Sequence, residues 1–142
     1  MADTFKVLGQ LSAVAFEPTP TVATILYAVP VAAVRTAGAA GVIVVAPKVI
    51  ALPVQALVSS IVVCNQHSAT NSFSIGLQTL ADWTDSAPLT AKQYLFKGVD
   101  VATKTTKILK LGLTLAPGDR IVAYATLAGG VVSITAMGIE VQ

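Results

Sequence analysis

Three groups of residues in this 142-residue chain have types and spacings that could carry chemistry. The first is Cys64-Asn65-Gln66-His67, which brings the single cysteine close to the single histidine. A thiol beside an imidazole can become a nucleophile, because the base removes the proton that keeps the sulfur weak. The surrounding residues argue against that pairing. Residues 57–64 read as an apolar strand that points Cys64 into the core as an inert thiol, and His67 falls in the polar turn that follows. A metal centre draws on roughly three or four soft or imidazole ligands. One chain cannot supply them, and only a ring of His67 side chains across a symmetric oligomer could.

The second group is Asp82-Trp83-Thr84-Asp85. An aromatic ring between two acids could form a sugar platform, a weak calcium loop or a paired-carboxylate site. It could equally be a polar loop pinned by one buried tryptophan. Asp82, Trp83 and Asp85 are therefore kept as glycan-loop candidates. The third group, Lys104, Lys107 and Lys110, is the nearest approach to a basic cluster. No aromatic residues interleave with it to stack on bases, so a solvated strand or turn is expected and no nucleic acid. Gly38 and Gly41 are not followed by the Lys-Ser/Thr pair of a phosphate loop. The expectation is a non-enzymatic protein with no catalytic residues, cofactor, metal or small-molecule substrate.

Composition supplies the positive argument. Hydrophobic residues make up 54% of the chain and charged ones only 11%, against about 25% charged in a typical soluble domain. A chain so poor in charge hides surface against something else. Lipid is not the expected answer. Residues 42–63 are very apolar, but Pro47, Lys48 and Pro53 break the window that a spanning helix of about 20 residues needs. The start of the chain lacks the basic and apolar segments of a secretory signal. Copies of the chain, or another protein, are the expected cover.

Helical periodicity is nearly absent. Short Val/Ile/Thr/Ala runs are cut by Pro, Gly, Asn and Asp, the pattern of an all-β chain. Strands are expected over 5–16, 22–29, 57–65, 73–77, 94–101, 105–111, 120–126 and 131–141, with 42–45 and 49–52 as a hairpin or two edge strands. Glu17-Pro18-Thr19-Pro20 is a break, because proline donates nothing to a sheet ladder. Residues 57–65 are apolar on both faces, as a central strand covered on both sides would be. Ala116-Pro117-Gly118-Asp119 suits a type II turn, and Gly129-Gly130 a two-residue hairpin. The expected architecture is a single antiparallel β-sandwich domain over 1–142, jelly-roll-like, with an extra apolar hairpin or arm around 31–56.

That excursion is rich in Ala and Val and broken by Gly and Pro. It reads either as plain core strand or as an arm buried between subunits, since exposed edges and large apolar patches invite pairing with a neighbour. Residues 1–10 could form a second arm. The interface candidates are Phe5, Val7, Val42, Ile43, Val44, Val45, Val49, Ile50 and Leu52.

Several segments together resemble small all-β virion proteins of tailed bacteriophages: TILYAVP (24–30), LVSSIVVCNQ (57–66), QYLFKGVDV (93–101), LGLTLAPGDRIVAYA (111–125) and AMGIEV (136–141). In that pattern a strand ending Tyr-x-Val-Pro leads quickly into the Ser-Ser-Ile-Val strand, whereas here residues 31–56 intervene. The resemblance implies a multimeric structural component, either a capsid cement (decoration) protein or one associated with the tail, baseplate or fibre and able to bind glycan. For the first, it implies a homotrimer on the capsid surface that clamps capsomers of the major capsid protein. If 31–56 is an inter-subunit arm, deleting 42–45 or 49–52 will lower the stability of the oligomer more than that of the monomer. Sedimentation of the truncated protein checks this, and normal assembly would refute it.

Overall fold

A computed structural model describes residues 5–11, 24–30, 55–83, 89–125 and 132–141. Eight strands form two antiparallel sheets: β1 (Phe5–Leu11), β2 (Thr24–Ala28), β3 (Gln55–Asn65), β4 (Asn71–Gln78), β5 (Tyr94–Val101), β6 (Thr106–Leu115), β7 (Arg120–Ala125) and β8 (Val132–Val141). Sheet A has the order β1-β8-β3-β6 and sheet B the order β2-β7-β4-β5. Strands pair in a nested way, β1 with β8, β2 with β7, β3 with β6 and β4 with β5. The β-sandwich expected from the strand pattern is the observed fold.

The core lies between the sheets. Val58, Ile61, Val63 and Ile134 of sheet A meet Phe73, Ile75 and Ile121 of sheet B, all essentially without solvent exposure. Alternation places them there, because successive side chains of a strand point to opposite faces. In β3 the alternation changes phase: Ala56 and Val58 point inward, then Ile61, Val63 and Asn65. The register against β8 skips Ser59, and the Ser59 hydroxyl donates to the Met137 carbonyl at 3.0 Å. This is a β-bulge, an extra residue that bends the strand and resets its faces. It changes where Cys64 lies. The thiol was expected inside the sandwich, but Cys64 is half-buried between two inward-facing residues and so belongs to the outer face of sheet A.

The excursion and the N-terminal arm also need adjustment. Gln55 and Ala56 belong to β3, which begins before Leu57, while Val42, Ile43, Val44, Val45, Val49, Ile50 and Leu52 lie outside the described residues. Phe5–Leu11 is an edge strand paired with β8, and residues 1–4 of the expected N-terminal arm lie outside the described residues. The strand expected over 105–111 is longer, and β6 continues through Gly112 to Leu115.

Turns fix the two ends. The Gly118 φ is +86°, and Asp119 N–H donates to Ala116 O, as the type II reading requires. At the other end, fully buried Asn65 donates from Nδ2 to Ala69 O (2.9 Å), Val101 O (3.0 Å) and Ala102 O (3.2 Å), and its Oδ1 accepts from His67 N–H. One amide thus ties the β3–β4 turn to the β5–β6 turn.

The bulge leaves no room on the facing strand. A Cβ on Gly138 would sit 2.0 Å from Leu57 O, whereas one on Gly112 would meet nothing within 4 Å. Gly138→Ala should cost about 1–3 kcal/mol of stability, the range for overpacking a well-packed site, and Gly112→Ala close to nothing. Urea unfolding of the two variants checks the contrast, and equal midpoints would contradict it.

Candidate functional site: the outer face of sheet A

The two sheets treat their outer faces differently. Sheet B is roofed by the connection between β4 and β5. Leu89 and Tyr94 pack on Val122 and Tyr124, and the Tyr94 and Tyr124 hydroxyls share a hydrogen bond. Burial, and then that bond, push the Tyr94 phenol up to about 12.

Trp83 closes the roof. Its indole Nε1–H donates to Gly118 O at 2.9 Å, and the Arg120 guanidinium lies 4.8 Å above its ring. Arg120 also donates from Nε to Gln78 Oε1 at 2.7 Å. Gln93 donates to Asp82 O, and its own Oε1 accepts from Thr90 N–H, tying the two short 3-10 turns Leu80–Asp82 and Ala91–Gln93 together.

The glycan-loop candidates are placed by these contacts. Asp82 is ion-paired with Lys92 at 2.8 Å, and the bonds from Lys92 and Thr79 hold its carboxyl below the usual range. Trp83 was expected to be buried if the loop were merely structural. It is instead 44% exposed, with Arg120 over its ring. Asp85 lies outside the described residues. His67 sits in the β3–β4 turn, where its Nδ1 accepts from Ala69 N–H. Among the described residues no group of three or more His, Cys, Asp or Glu side chains could hold a metal ion.

Sheet A carries no such roof among the described residues. The register places Phe5, Ile139 and Leu57 side by side across β1, β8 and β3. Val7 stands beside Met137 in the next row, and Thr135, Val62 and Ile108 form another. Val141 and Cys64 extend the band at its two ends. Phe5 is 51% exposed, Val7 53% and Ile108 62%. Lys110 is the one charged side chain on this face among the described residues. Four strands about 4.8 Å apart, each about 30 Å long, give a face of roughly 500–600 Å². The apolar residues share that face with Gln10, Gln55, Ser60, Ser133, Thr106 and Thr114 as well as Lys110.

Sequence reasoning found Phe5 and Val7 but not Leu57, Val62, Ile108, Met137, Ile139 and Val141. The missing signal was register: only the ladder shows that these residues stand on one side of one sheet.

The rim beside β1 is held by a polar clip. Glu140 accepts from Tyr27 of sheet B at 2.7 Å and from Lys6 of β1. Burial alone would raise the Glu140 carboxyl, but those two donors outweigh it and hold it below its ordinary value. Nearby, a Cβ on Gly9 would fall 1.9 Å from Leu26 O, so the two sheets touch backbone to backbone.

No family model matches the chain, and no curated protein or solved structure matches it.

A carboxyl lowered in the folded state contributes stability in full above its unfolded value, here 4.5, and loses it as pH falls through the folded value. Glu140→Gln should therefore lower the unfolding midpoint at pH 7 and flatten its decline below pH 4.5. Thermal melts across that window check this, and parallel curves would remove Glu140 as a clip.

Proposed function

We propose that this protein is a non-enzymatic structural component of a virion. In this reading it is a capsid cement or decoration protein, assembled as a homotrimer, that clamps neighbouring capsomers at the capsid surface. The observation that carries the reading is the outer face of sheet A, where Phe5, Val7, Leu57, Ile108 and Val141 stand exposed and Lys110 is the one charged side chain among the described residues. A face of about 500–600 Å² covered by an equal area of a neighbour removes roughly 1,000–1,200 Å² in all, enough for a specific interface.

Two further features support it. The nested pairing of eight strands among the described residues supports a jelly-roll-like winding, an architecture that recurs in viral capsid domains. Three of the candidate side chains are engaged in the fold: Asp82 with Lys92, His67 with its own turn, and Trp83 with Arg120 and Gly118. The mechanism is passive. Burying the face of sheet A between subunits lowers the free energy of the assembled shell by removing apolar surface from water.

Light scattering without detergent should give one discrete oligomer, and the protein should bind and stabilise empty shells. Leu57→Lys places a charge in the middle of the face at a position already exposed, so the fold should survive while the mass falls to that of the monomer. A variant of unchanged mass, or a wild-type protein that ignores shells, would contradict the reading.

A further inference from the structure

The β5–β6 hairpin holds three features that the assembly proposal does not use. The first is an open edge. β6 is the terminal strand of sheet A, and β3 is its one ladder partner among the described residues. On the opposite side of the sandwich, β1 and β2 close against each other at Gly9 and Leu26. β5, the neighbouring edge, is broken by register shifts against β4 and by Gly98 at a φ of +58°. Over Thr106–Lys110 the β6 ladder runs without a shift, leaving a regular row of outward backbone donors and acceptors.

The second feature is charge. The described ion pairs, Lys6–Glu140 and Lys92–Asp82, both lie elsewhere. Among the described residues no carboxylate pairs with Lys104, Lys107 or Lys110. Lys107 donates instead to the Asp100 backbone carbonyl at 3.3 Å. Lys107 and Lys110 flank the edge from opposite faces of the strand, and Ile108 stands beside Lys110.

The third feature is strain. Lys104 has a φ of +51°, the only positive value among the described non-glycine residues. It sits at the turn closed by Thr105 N–H to Ala102 O, a place that glycine would fill without cost. A left-handed lysine costs roughly 1–2 kcal/mol, and among the described residues no ion pair engages its ammonium. Unrelieved strain of this kind concentrates where a side chain acts on something outside the fold.

We propose that the free edge of β6 is a docking site for an extended acidic segment of another protein, which joins sheet A as a further strand. Backbone hydrogen bonds along Thr106–Lys110 supply affinity, as in other strand additions. The lysines supply selection. They repel a second β6, because like charges face each other across such a pair, and attract carboxylates. The incoming strand carries an acidic side chain opposite Lys110, an apolar one two residues away against Ile108, and an acid on its other face for Lys107. Nucleic acid fits less well, because the cations straddle an edge instead of lining one surface and no exposed aromatic residues alternate with them. The edge does not depend on what covers the face of sheet A.

The probe is a short fluorescent peptide containing Glu-Thr-Val-Glu, which in antiparallel register sets its glutamates opposite Lys110 and Lys107 and its valine opposite Ile108, titrated with the full-length protein and read by anisotropy. A second peptide has the same sequence with alternate amides N-methylated, and an oligonucleotide is the third ligand. The first peptide should bind and the methylated one should not. The double reversal K107E/K110E should weaken binding roughly tenfold. Lys104→Gly should raise the unfolding midpoint yet weaken binding about threefold, a combination that a purely structural lysine would not give. Equal binding of both peptides, tighter binding of the oligonucleotide, or no peptide binding would each overturn the proposal.

Discussion

In β3, the strand that joins β8 to β6 at the middle of sheet A, one extra residue at Ser59 decides which side chains meet the core. Before it, Ala56 and Val58 point inward, and after it Ile61 and Val63 do. A straight β3 would carry Val62 and Cys64 inward and leave Ile61 and Val63 in water. The change of phase is held by the Ser59 hydroxyl on Met137 O and by the missing side chain at Gly138, into whose space the Leu57 carbonyl bulges. Bulge, hydroxyl and glycine act together. The rows of both faces of sheet A follow from them.

The same bulge shapes the surface. Because β3 and β8 are apolar on their inner positions and largely apolar on their outer ones, sheet A has two faces suited to burial and only one core to bury. Sheet B solves the equivalent problem internally, by folding the connection before β5 across itself and fastening it with Trp83, Arg120 and Gln78. Among the described residues, Phe5, Val7, Leu57, Ile108 and Val141 stand exposed on the outer face of sheet A with Lys110 as its one cation, while Ile25, Leu80 and Trp83 are exposed elsewhere.

Much of the fold was legible in the sequence. The Pro117-Gly118 turn, the alternation in residues 73–77 and 131–141, and the Val-rich run at 57–65 specify strands through steric and conformational preferences that act locally. What could not be read was anything set by pairing. The apolar character of 57–65 on both faces pointed to a doubly covered strand, but the pattern is the same whether the outer cover belongs to this chain or to another. Cys64 was assigned to the core because alternation counted without the bulge puts it there. Asn65 was legible only as the end of a strand. Its buried amide instead joins two turns distant in sequence, a role visible only once β5 and β6 are in place. Lys104, Lys107 and Lys110 were read as a solvated strand or turn, and that is where they lie.

The fastening of the roof over sheet B has a spectroscopic consequence. Trp83 is the only tryptophan in the chain, and its ring rests beneath the Arg120 guanidinium with its indole N–H on the Gly118 carbonyl. Intrinsic indole emission therefore reports on the packing of one loop against one sheet. Events on the far face of the sandwich, across the full thickness of the core, reach that fluorophore only if they disturb the roof. A fluorescence trace that stays flat while the protein associates would be the natural behaviour of a chromophore placed on the opposite side, and a reporter meant to follow association has to be installed on sheet A.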